Sequence, residues 1–295
     1  MKLRTITGAV YVAVLVAFYV LKVLVSDLFF DGLIYAMSFI GAFEITRAFQ
    51  DKLTKAERIC VFAFAGICTP AVALGKTFGF GLQAGAVCLG LFVLATLSLL
   101  VLKQEETTLE SLGVTLLSGI YPTFLLAVLV FVNHIELSPV MAEVGFSSDV
   151  AILLIFVISA VSDTFAYLFG KFLRGKFPKK MAESISPNKT VIGGIGGIVG
   201  GVVGAVVVYF IYNAVVGSYS NMAFWLFVYI VIGVLGSVAN EFGDLVESSI
   251  KRKVGIKDMG KLMPGHGGIL DRIDGTLFTA SAVYLIFMLV KIFTM

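Results

Sequence analysis

Residues 244–275 form a polar stretch in which carboxylates, cations and glycines lie close together along the sequence. The stretch contains acidic residues, basic residues and one of the two histidines of the chain: Asp244, Glu247, Asp258, Asp271, Asp274, Lys251, Arg252, Lys253, Lys257, Lys261, Arg272 and His266. Carboxylates can hold a divalent cation. Cations and backbone amides at a helix start can bind phosphate. These residue types therefore predict chemistry on a metal-bound phosphate.

The acids at the start of this stretch follow a helical spacing. Asn240, Asp244 and Glu247 fall at i, i+4 and i+7, so they share one face of a helix, and Glu241 neighbours Asp244 at i, i+3. Polar side chains near the end of a membrane-spanning helix are costly in free energy unless they are paired, hydrated or metal-bound. Either a hydrogen-bonded cluster between helices or a divalent-cation site explains this face.

A second acidic pair, Asp271 and Asp274, lies at i, i+3 where the next apolar segment begins. A helix N-terminus favours acids, which explains Asp271 better than Asp274, because Asp274 lies one turn deeper. Helix stabilisation therefore stays an explanation for Asp271, whereas the deeper position of Asp274 favours a functional role.

The sequence between these two acidic groups contains the glycine-rich segment PGHGG. We expect the backbone amides of Gly267 and Gly268 to approach a phosphate. A single histidine between glycines lacks zinc-ligand spacing. His266 is therefore expected to contact phosphate or shape the loop.

Polar residues upstream could complete such a site. Asp163 lies in an apolar segment, where an acid is a functional candidate by default. The basic residues of 171–180 are expected to attract anionic lipid headgroups. In Ser186–Thr190, Pro187 and Asn188 predict a fixed turn that aims Lys189.

The elements that position these residues are predicted to be membrane-spanning helices. Hydrophobic residues make up 59% of the 295 residues and charged residues only 14%, far from the composition of soluble domains. Nine apolar runs are long enough to cross a bilayer. They are approximately 5–24, 28–48, 58–75, 79–102, 111–132, 150–169, 192–213, 223–246 and 270–292. The predicted fold is an all-α integral membrane protein, and the first run is expected to be a retained span.

The distribution of cations predicts the orientation of these spans. All of the 22 Lys and Arg except Lys22, Lys76 and Lys291 fall on the same side as the N-terminus. The positive-inside rule places that side in the cytoplasm. We expect a cytoplasmic N-terminus, a C-terminus on the opposite side, and a bacterial-type inner membrane location with the active site facing the cytoplasm.

The two halves of the chain are predicted to have different roles. Residues 1–149, with about five spans, are expected to serve in packing, subunit contact or a lipid-facing wall. Residues 150–295, with about four spans and two cytoplasmic loops, are expected to be catalytic. In the first half, Asp31 is expected to reach the outer interface, Glu44 to pair with Arg47 at i+3, and His134 to be incidental.

Glycines repeat every four residues in the seventh span. One series is Gly193, Gly197 and Gly201, and the other is Gly196, Gly200 and Gly204. Such repeats let membrane helices approach closely. They predict helix packing and are compatible with a homodimer.

Residues Ser248–Asp274 resemble the signature of phosphatidate cytidylyltransferases (CDP-diacylglycerol synthases). The motifs SSIKR, KD, PGHGG and DRID occur in the family's order. The region around Asp163 and the segment SPNKT also resemble the family, so the likeness covers roughly residues 160–275. Met263 is a conservative departure. Ile192 is a larger one, because the family commonly has glutamate there, and that glutamate's role is not carried over.

The resemblance implies a nucleotidyltransferase that converts CTP and phosphatidic acid to CDP-diacylglycerol and pyrophosphate in phospholipid biosynthesis. Its partners would be these two substrates and membrane lipid, without nucleic acid. Mg²⁺ is the implied cofactor, as two divalent ions or as one divalent ion with another cation. The implied metal ligands are Asp244, Asp271, Asp274 and Asp163. The implied catalytic residues are Asp244, Asp271, Asp274 and Lys257, and the substrate-binding residues are Lys189, Arg252, His266, Arg272, Gly267 and Gly268.

Two other classes use acids in membrane helices. A CDP-alcohol phosphotransferase needs further spaced aspartates and an arginine after Asp274-Gly275, and the sequence there reads TLFTAS. An ion-coupled transporter would use the same carboxylates as a coupling-ion site. That class predicts acids near mid-span with access from both sides, whereas the acids here lie near the predicted cytoplasmic ends.

Overall fold

The computed structural model describes residues 2–138, 140–141, 146–216 and 222–294, without the side chains of residues 2–5 and 216. The helices are α1 (Lys2–Leu24), α2 (Leu28–Ala48), α3 (Lys55–Thr77), α4 (Gly81–Leu102), α5 (Leu109–Gly119), α6 (Leu125–Asn133), α7 (Ser148–Leu173), α8 (Val191–Val216), α9 (Met222–Val254) and α10 (Leu270–Phe293). The π-helical turn Ile120–Phe124 joins α5 to α6. The strands β1 (Lys180–Ala182) and β2 (Ser186–Thr190) form one antiparallel hairpin.

The helices confirm the predicted fold class. In the described part of the chain, nine helical segments are long and apolar enough to cross a membrane, and α5, the π-helical turn and α6 together form one of them. Each segment coincides with a predicted run. The protein is therefore an all-α integral membrane protein, while the orientation of its termini stays a prediction.

The chain divides into two compact units. The first contains Met1–His134 and Val254–Arg272, and the second contains Ile135–Lys253 and Ile273–Met295. The segment 254–272, assigned above to the C-terminal region, thus belongs to the first unit. The functional division at residue 149 stays a prediction.

In the first unit, the buried carboxylate of Glu57 joins the starts of two helices. Thr54 and Glu57 form a capping box at the start of α3, with the Thr54 N–H donating to Glu57 Oε2 at 2.8 Å. Ser111 Oγ, from α5, donates to Glu57 Oε1 at 2.6 Å. Both carboxylate oxygens therefore have donors, as burial requires.

A second buried acid in this unit corrects one expectation. Asp31 is 5% exposed, while its expected position at the outer membrane interface stays a prediction. It accepts a hydrogen bond from Asn133 Nδ2 at 2.8 Å and lies 2.7 Å from His134 Nε2. Polar residues at the end of α6 thus satisfy a carboxylate of α2, so His134 is not incidental to the structure.

In the second unit, the glycines of α8 pack against two neighbouring helices, as predicted. A Cβ at Gly200 would lie 2.6 Å from Phe165 Cβ and 2.7 Å from the Val161 carbonyl oxygen, both on α7. On another face of α8, a Cβ at Gly201 would lie 2.6 Å from Ser237 Cβ on α9. Real side chains almost never reach such distances, so glycine is needed on both faces.

Gly200→Ala should destabilise the protein because its methyl group would press on the backbone of α7. We expect a loss of about 1–3 kcal/mol, as in other overpacked sites, seen as a lower melting temperature in detergent. Gly90→Ala is the matched control, since no atom lies within 4 Å of a Cβ there. An equal melting temperature for the two variants would contradict the packing role.

Candidate active site

The β-hairpin and the start of α8 together position Lys189. In the hairpin, Lys180 pairs with Thr190, and Ala182 pairs with Ser186. Thr190 Oγ1 accepts the N–H of Gly193 at 3.1 Å, capping α8. Lys189 is therefore held in β2, next to the residue that caps α8.

The predicted turn at Pro187 and Asn188 is wrong, because both residues lie in β2 and the chain reverses between Ala182 and Ser186 instead. A two-stranded hairpin consists only of edge strands. Proline, which has no N–H to donate, is tolerated in such a strand.

Lys189 forms ion pairs with two acids of α9. Its Nζ lies 3.0 Å from Glu241 Oε2 and 2.7 Å from Asp244 Oδ2. Burial favours a lower pKa for Lys189, but the charges of Asp244 and Glu241 outweigh it and raise the pKa above its ordinary value. The lysine is therefore charged at neutral pH, and it loses its charge when the pH rises through that raised pKa.

Asp163 belongs to the same cluster. Asn240 Nδ2 donates a hydrogen bond to Asp163 Oδ1 at 2.7 Å. Asp163 also interacts electrostatically with Asp244, Glu241 and Lys189. The structure thus brings together three predicted site residues, Asp163, Lys189 and Asp244.

Asp274 joins this cluster through a close approach of α9 and α10. A Cβ at Gly243 would lie 3.1 Å from the Cα of Gly275, so the two backbones nearly touch. Asp274 interacts electrostatically with Asp244 and with Glu247. Lys251 pairs with Glu247 one helical turn further on.

A cavity of about 1170 Å³ opens beside these residues. Asp163, Glu241, Asp244 and Lys189 line one part of it. Its lining also includes three further cations, Lys171, Arg174 and Lys180. The cavity therefore offers both acidic and basic groups to a ligand.

The acids of this unit fit a divalent cation. Among the described residues, no three His, Cys, Asp or Glu side chains converge on a single metal position. Mg²⁺ does not need such a cage, because it usually binds one or two carboxylates and completes its shell with water and substrate phosphate. Asp163, Glu241, Asp244 and Asp274 interact electrostatically around Lys189 and Lys251, so carboxylates outnumber the cations they meet.

The predicted residues of segment 254–272 lie in the first unit, in the loop before α10 and in the first turn of α10. Asp271 Oδ2 accepts the N–H groups of Met259 at 2.8 Å and Gly268 at 2.7 Å. The Gly267 N–H donates to the Met263 carbonyl at 3.1 Å. The amides of both glycines are therefore used inside the loop. A phosphate-binding role for these amides, which stays a prediction, would require those bonds to open.

Four predicted site residues remain, and they lie in different surroundings: His266, Lys257, Arg272 and Arg252. His266 Nδ1 lies 2.6 Å from Thr7 Oγ1 on α1, so its ring is held within the first unit. Lys257 and Arg272 are exposed in that unit. Arg252 belongs to the second unit, where its Nε donates to the Ile185 carbonyl at 3.3 Å and ties the end of α9 to the hairpin.

Glu241 was not among the predicted site residues, yet it lines the cavity and pairs with Lys189. Its spacing of i, i+3 from Asp244 was the available signal. Glu241 lies on the helix face next to the one shared by Asn240, Asp244 and Glu247. The sequence does not show that Lys189 of β2 lies against this neighbouring face.

Lys189→Met should destabilise the protein because it leaves two carboxylates of α9 without their cation. For this partly exposed cluster we expect about 1–3 kcal/mol, measured as a lower melting temperature. Adding Asp244→Asn to that variant should recover part of the loss. Lys52→Met is the control, since its exposed pair with Glu110 should contribute under about 0.5 kcal/mol. Equal effects at Lys189 and Lys52 would argue against the cluster.

Comparison with known proteins agrees with this chemistry. The sequence matches the cytidylyltransferase family over residues 2–290. Over 127 residues it is 42% identical to the phosphatidate cytidylyltransferase of Staphylococcus saprophyticus, 43% to that of Staphylococcus epidermidis and 41% to that of Staphylococcus aureus. Each match covers 43% of this chain and 45% of the relative, less than half of either. Because the family match extends over nearly the whole sequence, the chain belongs to the cytidylyltransferase family.

Proposed function

We propose that this protein is a phosphatidate cytidylyltransferase, which converts CTP and phosphatidic acid to CDP-diacylglycerol and pyrophosphate. The observation that carries the proposal is the cavity whose lining combines Asp163, Glu241 and Asp244 with Lys189 and further cations. The names of the staphylococcal relatives support the same reaction. No observation favours the transporter alternative.

The cavity suits a reaction between a lipid and a soluble nucleotide. An oxygen of the phosphatidate phosphate attacks the α-phosphorus of CTP. The bond from that phosphorus to the bridging oxygen breaks, and pyrophosphate leaves with the electron pair. Two anions must meet, so the barrier is largely electrostatic, and fixed cations such as Lys189 lower it.

A divalent cation would complete the charge balance. Enzymes of this family use a divalent cation, and we propose Mg²⁺, either as two ions or as one ion with a second cation. Asp244 and Asp274, with Asp163 and Asp271, are the proposed ligands. The ion would neutralise the charge of the triphosphate and of the leaving pyrophosphate.

The residues around the acids have proposed roles in binding. Lys189 would move from the carboxylates towards a phosphate when the triphosphate enters. Lys257, Arg252, His266 and Arg272 would contact the substrates, together with the glycines of PGHGG. The site is proposed to face the cytoplasm from a bacterial inner membrane, where CTP is available, and a homodimer stays a prediction.

Asp244→Asn and Asp274→Asn should each lower cytidylyl transfer by about 100-fold or more, since each removes a carboxylate from the proposed metal site. The assay is conversion of radiolabelled CTP and phosphatidic acid to a CDP-lipid by the purified protein. Asp51→Asn, at an exposed position, is the matched control and should keep wild-type turnover. Wild-type rates in both site variants would exclude the proposed ligands. Absence of product from the wild type with several acyl chains would exclude the reaction.

Removing divalent cations with EDTA should abolish turnover, because the carboxylates would then repel the triphosphate. Adding Mg²⁺ back should restore the rate, and Ca²⁺ should restore less, because Mg²⁺ demands a tighter octahedral geometry. Full activity in EDTA would contradict a metal-assisted reaction.

A further inference from the structure

The carboxylate of Glu44 lies in the first unit, on α2, where the sequence predicted only a pair with Arg47. Glu44 is 4% exposed. Its Oε1 accepts the N–H of Ile269 and its Oε2 accepts the N–H of Leu270, both at 3.0 Å. These are the last residue of the glycine-rich loop and the first residue of α10. The carboxylate therefore caps α10 from a helix more than two hundred residues away in sequence.

Two glycines enclose the Glu44 carboxylate on its other sides. A Cβ at Gly260 or at Gly268 would collide with its oxygen atoms. Any larger residue at either position would push the loop away from the carboxylate. These two glycines therefore serve the contact with Glu44.

Glu44 and Asp271 together hold the loop. Asp271 accepts the N–H groups of Met259 and Gly268, and Glu44 accepts the next two amides, those of Ile269 and Leu270. Two carboxylates thus satisfy four backbone donors between residues 259 and 270. Hydrogen bonds to ionised acceptors are roughly twice as strong as neutral ones.

We infer that Glu44 is a positioning residue for the proposed reaction, which fixes the conformation of loop 259–270 and the start of the helix that carries Asp271 and Asp274. Among the described residues, the Glu44 carboxylate accepts hydrogen bonds from the backbone N–H groups of Ile269 and Leu270, so we expect its effect on turnover to pass through the geometry of the loop. The catalytic part of this inference rests on the proposed function. The structural part does not.

Glu44→Gln tests the inference, because the amide keeps the shape but presents a donor to one of the two N–H groups. Hydrogen exchange of the amides between residues 259 and 270, measured by mass spectrometry on the full-length protein, should become at least about 10-fold faster. Turnover should fall by about 10–100-fold, the range typical of residues that support a site indirectly, while KM for CTP changes by less than about threefold.

Glu57→Gln is the matched control, since Glu57 is also a buried carboxylate with two donors in the first unit, but these donors come from Thr54 and Ser111 and not from the loop. It should lower the melting temperature by a similar amount, yet leave exchange in residues 259–270 and turnover near wild type. Equal loop exchange in the wild type and in Glu44→Gln would overturn the inference, as would an equal acceleration in Glu57→Gln.

Gly268→Ala is a second test of the inference, and it leaves Glu44 itself unchanged. Its methyl group would displace the loop from the carboxylate and should reproduce the faster exchange, whereas Gly113→Ala, with no atom within 4 Å of a Cβ, should not. Unchanged exchange in Gly268→Ala would also overturn the inference. If the wild type makes no CDP-lipid while the exchange results hold, the proposed function fails and the positioning of the loop by Glu44 stands.

Discussion

A carboxylate on an apolar helix must find a cation, hydrogen-bond donors or water, and both compact units are arranged around this requirement. In the first unit, the buried acids Asp31, Glu44 and Glu57 accept hydrogen bonds from donors distant in the sequence. In the second unit Glu241 and Asp244 share one lysine. The hydrogen bonds of the first unit join helices. In the second unit the carboxylates outnumber their lysine, so they can bind a further cation.

Glycine is what allows the acids of the second unit to gather. A Cβ at Gly197 would lie 2.6 Å from Glu241 Oε1, so α8 makes room for that carboxylate. The approach of Gly243 to Gly275 brings the acids of α9 and α10 within electrostatic reach of one another. Close packing and site chemistry therefore depend on the same glycines, and a larger residue there would disturb both.

Much of the fold and part of the site could be predicted from the sequence. The nine spans were predictable because a bilayer demands long apolar runs, and the packing role of the α8 glycines followed from their spacing. Partners distant in sequence were not predictable. Periodicity shows which face of α2 carries Glu44, but it cannot show that the amides of Ile269 and Leu270 lie against that face. The turn preference of proline also gave a wrong prediction at Pro187, because this residue lies in β2, which pairs with β1.

The structure changes which groups are available for phosphate. The amides of Gly267 and Gly268 donate within their own loop, so they could meet a triphosphate only if those hydrogen bonds opened. The cavity lining supplies cationic side chains in Lys171, Arg174 and Lys180, for which the sequence suggested only attraction to lipid headgroups. Lys180 also pairs with Glu183 at 2.6 Å. Under the proposed function these cations face the nucleotide. In the first unit, Glu44 and Asp271 hold the glycine-rich loop.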